Sequence, residues 1–119
     1  MQNIKLPTYP APLSHICLGT ASMGNEGLTG APVEKAFAIL DTYYAMGGRF
    51  LDTANVYGRW GVDRINASEQ VIGRWLKKRQ ITDMIVTPKA CHYMPEAHDV
   101  SRVTGEDMEA DIEESRRSL

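Results

Sequence analysis

The sequence predicts an α/β fold in which parallel strands are covered by helices. Short, nearly all-apolar segments alternate with longer amphipathic segments three times along the 119 residues. Continuous apolar runs are typical of parallel strands buried on both faces, and apolar residues at helical spacing indicate helices with one buried face. Repeated strand–helix units favour a parallel sheet packed against helices.

The first unit follows a proline-rich start. Residues 1–15 are predicted to be an extended lead-in, because three prolines remove backbone donors and fix φ. The first strand is expected over 15–20, followed by a loop with several glycines. Pro32 then opens a helix as a first-turn proline, and Gly47 with Gly48 ends it.

The second unit has a strand expected over 49–54 and a polar loop. Ser68 is the predicted N-cap of the second helix, with Glu69 in its first turn. Trp75 is expected to pack in the core from this helix. A basic last turn suits the negative end of the helix dipole.

The third unit has a strand expected over 84–87 and a long loop. Thr104 with Asp107 resembles a capping box, with Asp where Glu or Gln is usual. Apolar residues then share one face of the third helix as far as the last residue; they are Met108, Ile112 and Leu119.

Composition limits the class of protein. Thirteen Lys+Arg against fifteen Asp+Glu give a net charge of −2, which argues against a nucleic-acid surface. No apolar run approaches the roughly 18 residues of a membrane span, and the start lacks the apolar stretch of a signal peptide. Cys17 and Cys91 show no metal-ligand spacing, so no metal is expected. We therefore expect one cytoplasmic domain with reduced thiols, and no nucleic-acid or membrane partner.

Three polar residues follow strands at the edge where parallel β/α folds carry their chemistry. Asp52 ends the second strand, Tyr57 comes five residues later, and Lys89 ends the third strand. Taken singly, such residues commonly serve as a turn residue, a packing residue and a solvated lysine. Together they suit acid–base chemistry: a phenol is a poor proton donor at neutral pH, a nearby ammonium stabilises the phenolate, and a carboxylate holds the ammonium.

The motif around these residues resembles that of the aldo-keto reductases. The stretch Leu51–Gly58 reads Leu-Asp-Thr-Ala-Asn-Val-Tyr-Gly, and Ser68-Glu69 with Ile72-Gly73 follows as the family's next helix does. Leu18-Gly19-Thr20 is similar to the end of the family's first barrel strand, and Val86–Lys89 to the strand with its lysine. The resemblance extends to the third helix.

The resemblance implies about three units of a (β/α)8 TIM barrel, with residues 16–119 as its N-terminal part. It implies NADPH-dependent reduction of an aldehyde or ketone, with NADH as the alternative cofactor. Tyr57 would donate the proton, Lys89 would assist it and Asp52 would pair with Lys89. Gly19 and Thr20, together with Asp52, would lie beside the nicotinamide.

Some positions depart from the family pattern. Pro88 stands where the family commonly has Thr, and the family's histidine after strand four has no counterpart. His92 lies on the loop after the third strand, so it is interpreted as a loop or substrate-contact residue. Trp60 either lines a substrate pocket or only covers the barrel mouth. In the loop after Lys89, further candidates for substrate contact are Tyr93, Met94 and Arg102.

Length conflicts with this fold, since a (β/α)8 barrel typically needs about 250 residues. We expect a truncated chain that binds NADPH weakly or not at all by itself, and self-association through the open edge of its sheet. Two alternatives stay open: a partial-barrel interaction module without catalysis, and a fragment without function. Neither the substrate nor the oligomeric state can be read from the sequence.

Overall fold

The computed structural model describes residues 1–24, 31–58, 66–94 and 96–119. Trp60 lies outside these ranges, as do Gly27 and Gly30 of the loop after the first strand.

Helices and strands alternate as the hydrophobic pattern predicts. Within the described residues the elements are β1 (Asn3–Ile4), β2 (Leu13–Ser14), β3 (Leu18–Gly19), α1 (Val33–Ala45), β4 (Phe50–Asp52), α2 (Ala67–Arg79), β5 (Ile85–Thr87) and α3 (Gly105–Ser118). In these ranges, every helix is too short or too polar to cross a membrane.

The central sheet is parallel, which confirms the predicted fold class. Its strand order is β3-β4-β5, and both pairings are parallel. Asp52 pairs with Gly19 on one side and with Thr87 on the other. The sheet does not close into a barrel within the described residues, so the fold is a partial barrel of three strand–helix units.

Alternation along the strands gives the sheet two different faces. Leu51, the middle residue of β4, is fully buried and packs in the core with its neighbour Leu18. Asp52 points to the opposite face, because successive side chains of a strand alternate. Helices α1 and α2 cover the first face, and Trp75 is fully buried there, as expected. The core comprises Met23, Ala36, Leu40, Tyr43, Leu51, Val71, Ile72 and Trp75.

The N-terminal segment, predicted to be an extended lead-in, forms a small antiparallel hairpin. β1 pairs with β2, and the Ser14 hydroxyl lies 2.9 Å from the buried Tyr43 hydroxyl of α1. The Tyr43 ring leaves no room for a side chain on Gly48, whose Cβ would lie 2.3 Å from it. The hairpin is thus tied to the end of α1, and the domain boundary at residue 15 stays a prediction.

Helix ends match the sequence at one helix and differ at another. Thr104 caps α3, and its side chain accepts a hydrogen bond from the Asp107 N–H at 3.1 Å, as predicted. The prediction that Ser68 caps α2 was wrong. Asn66, in the left-handed conformation, is the N-cap residue, and Ser68 lies inside the first turn. Ser68 is fully buried, and its hydroxyl hydrogen-bonds Thr20 instead of capping the helix.

Helix α3 does not bury the apolar face that its spacing suggests. Met108 and Ile112 are 46% and 47% exposed, whereas Asp111 and Ser115 are buried. The buried pair faces α2 and the loop after β5, where both side chains have hydrogen-bond partners. Helix α3 is therefore held against α2 and the loop after β5 by polar contacts and by the partly buried Leu119.

Candidate active site at the carboxyl edge of the sheet

Asp52, Tyr57 and Lys89 meet at the carboxyl ends of β4 and β5. The Lys89 Nζ lies 2.7 Å from each carboxylate oxygen of Asp52. The same Nζ lies 4.7 Å from the centre of the Tyr57 ring. The structure thus brings together the three residues that the sequence singled out for catalysis.

The environment of Lys89 favours its charged form. Partial burial works against the charge, but hydrogen bonds to Asp52 and to Tyr57 outweigh it and raise the pKa of Lys89. Lys89 therefore stays protonated over the neutral range. A fixed ammonium beside a phenol can stabilise the phenolate that forms when the phenol gives up its proton.

Asp52 is held by the strand beside it and by α2. Its carbonyl oxygen accepts hydrogen bonds from the Thr20 N–H at 3.1 Å and from the Thr20 hydroxyl at 2.9 Å. The Ser68 hydroxyl donates in turn to the Thr20 carbonyl at 2.9 Å. Since Thr20 and Ser68 are fully buried, this chain of hydrogen bonds fixes the end of β4.

Tyr57 lies on a tight turn between β4 and α2. Its N–H donates to the Ala54 carbonyl at 3.1 Å, and its own carbonyl accepts from the Ser68 N–H at 3.3 Å. Gly58 follows with φ +91°, and a Cβ there would lie 2.5 Å from the Ala67 Cβ. Only glycine satisfies both the backbone angle and the close approach of the helix, so Gly58 helps to place Tyr57.

Pro88 does not disturb the end of β5. The hydrogen bonds that extend the pairing of β4 and β5 use the carbonyls of Thr87 and Lys89, which accept from Thr53 and Asn55 at 3.0 and 3.4 Å. Residue 88 alternates with these two, so its backbone faces away from β4. Proline therefore removes no bond between these strands, and Lys89 still reaches Asp52.

Gly19 leaves open space beside the site. It is exposed on the same face of the sheet as Asp52, with which it pairs, and a Cβ added to it would meet no atom within 4 Å. A bare backbone of this kind leaves room for a flat ring, and the expectation that Gly19 lies beside a nicotinamide stays a prediction. Thr20 is different, because its side chain is buried and its hydroxyl is engaged with Asp52. Its role toward a cofactor stays a prediction.

The loop after Lys89 carries a row of aromatic rings. The Tyr93 ring centre lies 4.2 Å from that of His92 and 4.9 Å from that of His98. The His92 Nδ1 is 2.9 Å from the Tyr93 carbonyl oxygen. In the described ranges, no group of three acidic, histidine or cysteine side chains could hold a metal ion.

Sequence reasoning missed Asp111 and did not foresee that Arg102 pairs with it. Arg102 was considered for substrate contact, but its guanidinium binds the Asp111 carboxylate at 2.7 and 3.1 Å. The pair anchors the loop to α3. The sequence shows Asp111 only as one of many charged residues on this helix, and such a pattern does not reveal which of them is buried.

Known proteins resemble this chain over most of its length. The model of the aldo/keto reductase family matches residues 15–119. An aryl-alcohol dehydrogenase of Pestalotiopsis microspora is 39% identical over 87 residues, which are 70% of this chain and 21% of that protein. An NADP(+) aryl-alcohol dehydrogenase of Phanerodontia chrysosporium is 37% identical over 78 residues, 62% of this chain and 19% of that one.

Solved structures share the fold. A putative aldo-keto reductase from Pseudomonas aeruginosa superposes with a TM-score of 0.78 at 22% identity, covering 98% of this chain and 42% of its own. The chain thus spans about a fifth of these curated relatives and under half of this structural neighbour. Since the family model covers nearly all of the chain, the chain belongs to the aldo/keto reductase family.

Proposed function

We propose that this chain carries the proton-donating part of a carbonyl reductase, in which Tyr57 protonates the oxygen of an aldehyde or ketone. The contact of Lys89 with both Asp52 and the Tyr57 ring supports the proposal most directly. The Lys89–Asp52 pair is partly exposed to solvent, and its position beside the Tyr57 phenol distinguishes it from an ordinary surface ion pair. Such a grouping suits general acid catalysis, which contributes typically about 10²–10⁴-fold to a rate.

Each residue has a separate role in this proposal. Tyr57 donates its proton to the carbonyl oxygen, and the Lys89 ammonium stabilises the phenolate left behind. Asp52 holds Lys89 in place and balances its charge. A bound nicotinamide cofactor supplies the hydride that such a reduction needs, and Gly19 with Asp52 would hold its ring.

The relatives suggest the substrate class and the cofactor. The relatives from Pestalotiopsis microspora and Phanerodontia chrysosporium are named as aryl-alcohol dehydrogenases, the second with NADP(+). We therefore propose an aromatic aldehyde or ketone as the small-molecule partner, NADPH as the cofactor with NADH as the alternative, and the cytoplasm as the location. The rings of His92, Tyr93 and His98 on the loop after Lys89 are compatible with a flat aromatic substrate.

The test is a turnover assay on the protein expressed from its complete reading frame. Purified protein is mixed with NADPH, or with NADH, and a panel of aromatic and aliphatic aldehydes and ketones. We expect NADPH consumption that depends on the carbonyl compound and is fastest with aromatic aldehydes. The proposal fails if no carbonyl compound is reduced with either cofactor by folded protein.

A further inference from the structure

The pairing of β4 with β5 ends at Lys89. The Asn55 N–H donates to the Lys89 carbonyl at 3.4 Å. Two residues later, the next N–H in this alternation belongs to Cys91. It turns away from β4 and donates to the Asp111 Oδ2 at 2.7 Å. After Lys89, therefore, the backbone is held by a hydrogen bond to a side chain of α3 instead of by strand pairing.

Cys91 has a backbone conformation that needs support. Its φ is +64°, in the left-handed region that residues other than glycine seldom adopt. Such conformations persist only where the surroundings enforce them. The hydrogen bond of its N–H to Asp111, at 2.7 Å, restrains this backbone two residues after Lys89.

Asp111 is itself held by Arg102. The Arg102 Nη2 lies 2.7 Å from the Asp111 Oδ1 and Nη1 lies 3.1 Å from Oδ2, in a two-pronged pair. The side chains are 12% and 5% exposed. Arg102 also donates to the His92 carbonyl at 2.9 Å and contacts the Asp107 carboxylate at 3.2 Å.

The buried carboxylate stays charged in this setting. Burial alone would raise the pKa of Asp111, but hydrogen bonds from Arg102 and from the Cys91 N–H lower it below its usual value. The ion pair is thus intact at neutral pH.

We propose that Arg102 and Asp111 are positioning residues for Lys89: their ion pair fixes the Cys91 backbone and so keeps the Lys89 ammonium on Asp52 and Tyr57. Neither residue touches the reacting atoms. The inference rests on the proposed function as far as catalysis is concerned, but its structural core concerns only the placement of Lys89.

The first experiment measures kinetics in the protein from its complete reading frame. Asp111→Ala should lower kcat for carbonyl reduction by about 10- to 100-fold, the size expected when a catalytic group moves by about an ångström. KM for the carbonyl compound should rise as well, because the same pair anchors the loop that carries His92 and Tyr93, so the loss of kcat is the readout for Lys89. Asp111→Asn keeps an acceptor for the Cys91 N–H and should fall between Asp111→Ala and wild type.

Glu113→Gln is the matched control. It removes a carboxylate from the same helix, but one that lies at the surface and pairs with exposed arginines. Its kcat should equal that of wild type. Equal kcat in Asp111→Ala and Glu113→Gln would overturn the proposal.

The second experiment reads Lys89 directly by NMR titration of the lysine side chains, with Lys89 assigned through Lys89→Arg. Lys89 should titrate above the ordinary value in wild type and Glu113→Gln, and closer to it in Asp111→Ala. An unchanged Lys89 titration in folded Asp111→Ala protein would also overturn the proposal. If Asp111→Ala does not fold, Asp111→Asn and Arg102→Lys decide the same question.

The two experiments separate the positioning role from the proposed function. If wild type reduces no carbonyl compound but the Lys89 titration still depends on Asp111, the proposed function fails and the positioning role stands. If wild type is active but the Lys89 titration does not change in Asp111→Ala, the positioning role fails and the proposed function stands.

Discussion

Glu69 is a fully buried carboxylate between α2 and α3. Its Oε1 accepts a hydrogen bond from the Ser115 hydroxyl at 2.9 Å, while its Oε2 has no hydrogen-bond partner among residues 1–24, 31–58, 66–94 and 96–119. Burial raises the pKa of Glu69, since the charged form loses its water, and the Ser115 hydrogen bond only partly offsets this. The folded state therefore binds a proton more readily at this site than the unfolded state does.

The contribution of Glu69 to the free energy of unfolding depends on pH. A folded pKa above the unfolded value means that Glu69 costs stability as pH rises from the unfolded pKa upward. Glu69→Gln should raise the free energy of unfolding at pH 8 by about 1–3 kcal/mol, the usual cost of an unsatisfied buried group. The gain should shrink toward pH 4, as shown by urea denaturation at both pH values. Exposed Glu113→Gln should show neither effect, and an equal gain at both pH values would contradict this explanation.

At the scale of elements, the turn from β4 to α2 places the proton donor. Gly58→Ala should destabilise the fold by about 1–3 kcal/mol, because φ of +91° is strained for alanine and its Cβ would collide with Ala67. It should also lower turnover by displacing Tyr57. Gly105→Ala is the control: its Cβ meets no atom within 4 Å at the start of α3, so it should be neutral or slightly stabilising. Equal urea concentrations at the unfolding midpoints of Gly58→Ala and Gly105→Ala would refute the role of this turn.

Local patterns predicted the elements better than their packing. Pro32 and Gly47 bracket α1, and Thr104 caps α3, because these signals act within one turn of the chain. Ser68 was misassigned because its hydroxyl is taken by Thr20, which lies 48 residues away in sequence. No local pattern reports such a distant partner.

The difference between local signals and distant contacts also decided which site residues could be predicted. Asp52, Tyr57 and Lys89 were predictable because strand ends meet at one edge of a parallel sheet. Asp111 was not, because its burial depends on how α3 folds back over the loop that contains Arg102.

At the scale of the molecule, the sheet has two outer strands, β3 and β5, and both outer edges lack a partner strand among the described residues. Unpaired edges promote pairing with a second chain. We expect the 119-residue chain by itself to self-associate, with an average mass by light scattering that rises with protein concentration. A monomer at all concentrations that melts in one sharp transition would contradict this expectation.

The central claim is that Tyr57 donates the proton, and its most direct test is kcat of Tyr57→Phe in the protein from its complete reading frame. Tyr44→Phe is the matched control, since it removes a hydroxyl that binds Asp83, which precedes β5 at the opposite end of that strand from Lys89. We predict that Tyr57→Phe lowers kcat by about 10²–10⁴-fold, while Tyr44→Phe stays near wild type. Near-normal turnover by Tyr57→Phe would contradict the account.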